Sequence, residues 1–291
     1  MFYIKFSIIE NFFNMILKYI IKEDNVLIKD FMINQSLSRI LCKKIKLYGE
    51  IKVNGINRKN YNILKRGDIL ELIYDEKINE IIKENDKPLT IIYEDEYIII
   101  IDKEYNLACL PTKKHFDDNL ISRLKYYYKT KGIFSNYHVL TRLDYSTAGL
   151  VLVAKEGYIQ MMFSKIKIDK YYHLICEGIL DTKQGVIETF IERVAINDIR
   201  RKVSDKGKRA ITEYKVLAEY GDSSFVECKL ITGRTHQLRV HFSYINHPII
   251  GDDLYGNKKE RLMLLSKRLS FVHPILNVLI ELESKEKFPL I

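Results

Sequence analysis

Three observations predict an α+β fold with a mixed, largely antiparallel sheet and a small α/β module ahead of it. Short apolar runs and period-two alternation recur along most of the chain. Helix-period patterns are interspersed among them, and no regular strand–helix–strand repeat appears. The 291 residues suffice for one large and one small domain, and 47% hydrophobic with 29% charged residues suits a real core under a charged surface. The net charge of +9 is spread along the chain. It favours a polyanionic partner, yet equally fits a Lys-rich composition with no partner. Cys42, Cys109, Cys176 and Cys228 are far apart with no Cys-x-x-Cys pair, which argues against a disulfide framework or zinc site and for a reducing cytoplasm.

The elements follow in order. The apolar opening, MFYIKFSIIENFFNMILKYIIK, is interrupted by Lys5, Glu10, Asn11, Asn14 and Lys18, so it reads as neither a membrane span nor a signal peptide. Residues 1–14 read as an extension, and Met15 as a more natural start, because the folded pattern begins just after it. Residues 15–35 predict one strand and the approach to a helix. Ser36 is placed to cap a helix over Leu37, Ile40, Leu41 and Ile45, whose opposite face carries Arg39, Lys43, Lys44 and Lys46. Ile51 and Val53 alternate with Lys52 before Asn54-Gly55, the strongest short hairpin signal, and Gly67-Asp68 leads into a strand over Ile69–Tyr74. The charged stretch closed by Pro88 reads as a linker, which puts a small domain at 15–75, the linker at 76–88 and a large domain at 89–291. Two strands flank Glu94-Asp95, and Leu120, Ile121 and Leu124 mark a helix.

The chemistry is centred on residues 141–154, TRLDYSTAGLVLVA. If extended, this stretch sends Arg142 and Asp144 to one side, and Gly149 marks a turn or close approach ahead of a buried strand. A carboxylate at the mouth of such a strand, beside a fixed cation, suits a nucleophile or base. Taken alone, Arg-x-Asp is more often a surface ion pair. In KYYHLICEG, from Lys170, Tyr172 shares a period-two face with Leu174 and Cys176. Residues 232–256 hold His236, His241 and His247 without the carboxylates or thiolates a zinc site wants, so no metal is expected there. Arg234 and Arg239, flanking His236-Gln237, suit an anionic partner.

These strings resemble the signatures of the RluA family of pseudouridine synthases. The Arg-Leu-Asp signature falls on Arg142 to Asp144, with Thr147, Gly149 and Leu150 following. The Gly-Arg-Thr-His-Gln-Leu-Arg segment falls on Gly233 to Arg239, with His247, Pro248, Gly251, Asp252, Tyr255 and Gly256 downstream. GKRAITEYKVL, from Gly207, fits a family strand, and the stretch from Arg261 fits its closing helix and strand. Thr141, Ala148, Glu104 and Leu265 depart from the usual His, Ser, Pro and His. The helix and hairpin of residues 36–74 resemble the RNA-binding module first known from ribosomal protein S-four.

The resemblance implies an isomerase that breaks the uracil–ribose bond, turns the base and rejoins it through carbon 5, with no cofactor and no metal. It implies that Asp144 is the essential carboxylate and that Arg239 pairs with it. Arg142 would fill the place of the flipped nucleotide or hold the phosphate. Tyr172 would stack on the uracil and help remove the carbon-5 proton, and Lys170, the family Lys before it, would contact RNA. Arg39, Lys43, Lys44, Lys52, Arg58 and Arg234 would meet RNA phosphates. The expected partner is ribosomal RNA of the large subunit, with transfer RNA as the alternative; no membrane and no second subunit are expected. A noncatalytic RNA-binding assembly factor on the same fold is the main reading of another class. A hydrolase using Asp144 and a histidine is a third, without a nucleophile elbow to support it.

Overall fold

The computed structural model describes residues 2–9, 12–35, 37–76, 81–133 and 135–288. In chain order these form β1 (Phe2–Ile9), β2 (Phe12–Ile20), β3 (Val26–Leu27), α1 (Ile28–Asn34) and α2 (Arg39–Tyr48). Next come β4 (Glu50–Val53), β5 (Ile56–Asn57), β6 (Ile63–Leu64), β7 (Ile69–Glu76), β8 (Thr90–Glu94) and β9 (Ile98–Lys103). Then follow α3 (Leu120–Thr130), β10 (His138–Val139), β11 (Ala148–Ala154), α4 (Gly157–Phe163), β12 (Asp169–Glu177) and β13 (Gln184–Arg193). The chain ends through β14 (Arg201–Val203), β15 (Lys208–Tyr220), β16 (Ser223–Leu230), α5 (Gln237–Tyr244), β17 (Leu264–Val272) and β18 (Leu279–Glu283). It divides into two compact units: residues 1–82 with 128–138 and 155–165, and residues 83–127 with 139–154 and 166–291. A single boundary within 76–88 does not foresee the two internal segments that group with the first unit.

The first unit holds an antiparallel sheet in the order β1-β2-β7-β4-β5. The folded pattern starts earlier than Met15: Phe2–Ile9 pairs with β2, with Ile4 opposite Leu17. Strand addition uses backbone groups, which every residue carries, so side-chain periodicity does not reveal it. Leu37, Leu41 and Ile45 are buried, as are Leu17, Leu70 and Leu72 of the sheet. The α2 cap is Ser38, whose Oγ accepts the Leu41 N–H at 3.1 Å; Ser36, the expected cap, lies outside the described residues. Asn54 and Gly55 both have positive φ, 52° and 79°, as a two-residue hairpin requires. Asn54 also donates to Asp68 at 2.8 Å and accepts from Ile69 N–H at 2.9 Å, fastening the turn to the start of β7.

The second unit is built on one mixed sheet ordered β14-β13-β15-β16-β12-β17-β11-β9-β8, with β18 beside β17. Along this path and with β18 the pairs are antiparallel except β11 with β17. The near-continuous apolar runs Ile98–Ile101 and Leu150–Ala154 are fully buried, as strands covered on both faces must be. Gly149, at φ +108°, is where β11 meets β17; a Cβ there would lie 2.3 Å from the Ser266 carbonyl oxygen. The residue therefore serves close approach. Asn119 Oδ1 accepts the Ser122 N–H and so caps α3. The closing helix expected after Arg261 is not formed. Met263 N–H bonds to Ile250 O at 2.9 Å and its carbonyl takes Ile175 N–H at 3.1 Å, so those backbone groups serve neighbouring chain instead of a helix.

Candidate active site

A cavity of about 400 Å³ opens in the second unit, lined among others by Arg142, Asp144, Lys170, Tyr172, His236 and Arg239. Three distant stretches of sequence meet there.

The first stretch presents Asp144 from a turn, with Thr147 N–H bonded to Asp144 O at 3.1 Å. Residues 142–144 are not a strand, but Leu143 is buried while Arg142 is exposed and Asp144 half-buried, and both line the cavity. Cys109 grips Leu143 by its backbone: Sγ accepts the N–H and donates to the carbonyl, both at 3.4 Å. Thr141 Oγ1 accepts Leu152 N–H at 2.8 Å, tying the loop to β11. Behind the turn the fully buried Lys103 donates to the carbonyls of Glu104, Leu107 and Tyr145 at 2.8–3.3 Å. Burial pushes its ammonium down to about 8.

The second stretch is β12. A bulge against β17 sets Tyr171 opposite Arg268 and Tyr172 opposite Ser266. Tyr171 lies under the Arg268 guanidinium, 3.8 Å from its ring centre, whereas Tyr172 is buried and lines the cavity. Burial, with the Asp144 charge adding to it, pushes the Tyr172 phenol up. A phenolate is thereby disfavoured at neutral pH, which weakens the expected part in removing a proton and leaves the ring's shape and stacking face. Lys170 also lines the cavity; burial lowers its ammonium, which makes no hydrogen bond or ion pair among the described residues.

The third stretch is the loop into α5, locked by one side chain. Gln237 accepts from Thr232 Oγ1 and Arg234 N–H at 2.9 Å and donates to Ile211 O and Thr212 Oγ1 at 2.9 and 3.0 Å. His236 is thereby held in the left-handed region, φ 58°, at the start of the helix, a conformation costly for a residue with a Cβ. Its Nδ1 is 2.7 Å from Tyr255 Oη, which accepts the Arg201 N–H at 2.7 Å. Its Nε2 lies 3.8 Å from Asp144 Oδ2. Burial lowers this imidazole against the pull of Asp144.

Arg239 reaches Asp144, as expected, but holds another acid more closely. Its bidentate partner is Asp252, at 2.7 Å from Nε and 2.6 Å from Nη2, with Asp253 at 3.0 Å. Asp144 meets only Nη1, at 3.8 Å. Asp252, the aspartate of the Gly-Asp-x-x-Tyr-Gly string, is the closer partner because its buried carboxylate faces the guanidinium fork directly and also accepts Leu254 and Tyr255 N–H.

The histidines go separate ways. His241 sits between Thr189 and Thr212, 3.0 Å from each hydroxyl, and His247 Nδ1 donates to Glu177 O at 2.8 Å. No group of three candidate metal ligands occurs among the described residues. Arg234 donates Nε to Arg209 O at 2.9 Å and edges the cavity. Arg39, Lys43, Lys44, Lys52 and Arg58 belong to the first unit. There Arg39, Lys43 and Arg58 are exposed, Lys44 stands 5.1 Å over Tyr74, and Lys52 pairs with Glu50 at 2.7 Å.

This geometry sits inside a family match. Residues 97–244 fit the model of the RNA pseudouridylate synthase family. The chain is 32% identical over 257 residues to the Bacillus subtilis RNA pseudouridine synthase YjbO, covering 85% of this chain and 91% of that one.

The chain belongs to the RNA pseudouridylate synthase family.

It is of the RluA type and is an isomerase acting on RNA. It is 36% identical over 224 residues to ribosomal large subunit pseudouridine synthase D of Borreliella burgdorferi, covering 71% of this chain and 68% of that one. The same fold occurs in human RNA pseudouridylate synthase domain containing 1, at a TM-score of 0.57 and 24% identity over 69% of this chain and 85% of that one. No helix among the described residues is long and apolar enough to cross a membrane.

Proposed function

We propose that this synthase converts uridine to pseudouridine in large-subunit ribosomal RNA in the cytoplasm, with Asp144 as the essential carboxylate. The observation that carries the reading is the open position of Asp144. It is the half-exposed carboxylate of a cavity whose other wall holds a cation and an imidazole, each at 3.8 Å. A carboxylate so placed has free lone pairs for the ribose and a charge held by neighbours that need not move. Uridine is sealed in a helix by stacking and pairing, so it must turn out into the cavity. Arg142, exposed at the rim, is suited to fill the vacated place or hold the phosphate. Tyr172 offers a ring face to the uracil, and Lys170 an unpaired ammonium to a phosphate.

Ribosomal RNA is favoured over transfer RNA by two supports: the relatives that act on the large subunit, and the S-four-like reading of the first unit, whose Arg39, Lys43, Lys44, Lys52 and Arg58 are proposed phosphate contacts. The test is incubation of the protein with large-subunit ribosomal RNA lacking modification, then digestion to nucleosides. Pseudouridine is expected from the wild type and none from Asp144→Asn, which should still bind the RNA. Product at the wild-type rate from Asp144→Asn would overturn the assignment.

A further inference from the structure

Next to the catalytic cavity lies a second one, of about 480 Å³, and the two share the wall Gly233-Arg234-Thr235. Five cations line it, Arg193, Arg201, Lys206, Lys208 and Arg234, against a single carboxylate, Glu192. Glu192 is itself occupied by a sixth cation, Lys202, at 3.4 Å. The arginines are held by carbonyls, which fix their direction without cancelling their charge: Arg193 by Ile196 O, Arg201 by Ile199 O and Arg200 O, and Arg234 by Arg209 O. Lys206 and Lys208 are exposed and make no ion pair among the described residues. Gly207 between them permits this: a Cβ there would lie 2.4 Å from the Ile191 carbonyl carbon, so both lysines depend on a close approach to β13.

Resting on the proposed RNA chemistry, we infer that this basic cavity is the subsite for the phosphates of the single strand that runs on from the flipped uridine. Charge complementarity favours a polyanion, since fixed guanidiniums without carboxylate partners match phosphate oxygens. Continuity favours the substrate strand over an unrelated anion, because a chain leaving the catalytic cavity past Arg234 enters this one directly. The connection also reaches the chemistry. Arg201 belongs to this cavity, and its N–H holds the Tyr255 hydroxyl that fixes His236 beside Asp144.

The experiment measures binding of the full-length protein to a uridine-containing single-stranded oligoribonucleotide across a salt series, by fluorescence anisotropy. The protein carrying both Lys206→Ala and Lys208→Ala is compared with the wild type and with a protein carrying Lys285→Ala and Lys287→Ala, two exposed lysines that line neither cavity. Each lost phosphate contact on a single strand flattens the log–log salt slope by about 0.7. The Lys206/Lys208 variant should therefore lose about 1.4 in slope and bind roughly 10- to 30-fold more weakly near 0.1 M salt. An unchanged slope and affinity would overturn the inference, as would an equal loss in the control pair, which marks a net-charge effect. Nucleosides from wild-type incubations with unmodified large-subunit ribosomal RNA report separately on the proposed reaction. Selective loss of binding without any pseudouridine from the wild type would contradict that reaction and leave the cavity assignment standing.

Discussion

Of the three carboxylates around the guanidinium of Arg239, Asp252 and Asp144 are built most differently. Asp252 has a fully buried side chain, takes two hydrogen bonds from Arg239 at 2.6–2.7 Å, and accepts backbone N–H groups as well. Asp144 is 29% exposed, stands 3.8 Å from the same guanidinium, and faces open space. The difference separates holding from reacting. A buried carboxylate committed to a guanidinium fork and to backbone N–H groups is withheld from attack and proton transfer; one left loosely opposite a fixed cation is available. Arg239 is immobilised by Asp252 so that its remaining face stays directed at Asp144.

That contrast is tested first by exchanging the effects of the two acids. Asp144→Asn should abolish pseudouridine formation while changing stability by less than about 1 kcal/mol, because its ion pair is long and partly solvated. Asp252→Ala should instead destabilise the protein by roughly 3 kcal/mol, because a buried guanidinium loses its bidentate partner and keeps only the exposed Asp253 and the distant Asp144. Thermal unfolding and single-turnover nucleoside analysis on both variants would show the inversion; equal stability losses would erase the distinction.

The closed side of the site should also show in acid. Burial pushes His241, fixed between Thr189 and Thr212, down to about 4 from an ordinary value of 6.5. The unfolded chain therefore binds a proton that the folded one refuses between those values. This contribution is fully present above pH 6.5 and is lost as pH falls to about 4, by up to about 3 kcal/mol. Denaturant unfolding at pH 7 and pH 5 should show the slope, and His241→Asn should flatten it. The smallest expected effect is on the open side. Tyr255→Phe keeps the ring beside Arg239 but removes the hydroxyl holding His236. It should lower kcat about five- to tenfold, the worth of one hydrogen bond, with little change in KM. A rise in KM with kcat unchanged would mean that His236 binds RNA instead of positioning Asp144.

The sequence foretold the two regions unequally. Buried strands such as Ile98–Ile101 and Leu150–Ala154 announced themselves by unbroken apolar runs, and the Asn54-Gly55 hairpin by its backbone demands. Asp144, Tyr172 and Arg239 were legible as members of motifs, and the structure brings all three to one cavity. Their partners were not. Nothing local in the sequence says that Arg239 turns to Asp252, that Cys109 holds Leu143, or that Tyr255 holds His236, since each is a contact across the fold. The Gly-Asp-x-x-Tyr-Gly string did carry a signal, because it places Asp252 and Tyr255 together. Strand β1 was missed because it adds to the edge of β2 by backbone bonding, and the helix expected near Arg261 gave way to pairing with distant chain.

The most direct test of the central claim is a pseudouridine map of total RNA from cells lacking the gene, complemented with either the wild type or Asp144→Asn. Discrete positions in the large-subunit ribosomal RNA should lose pseudouridine on deletion, regain it with the wild type, and stay unmodified with Asp144→Asn. A map unchanged by deletion, or one restored by Asp144→Asn, would contradict the account.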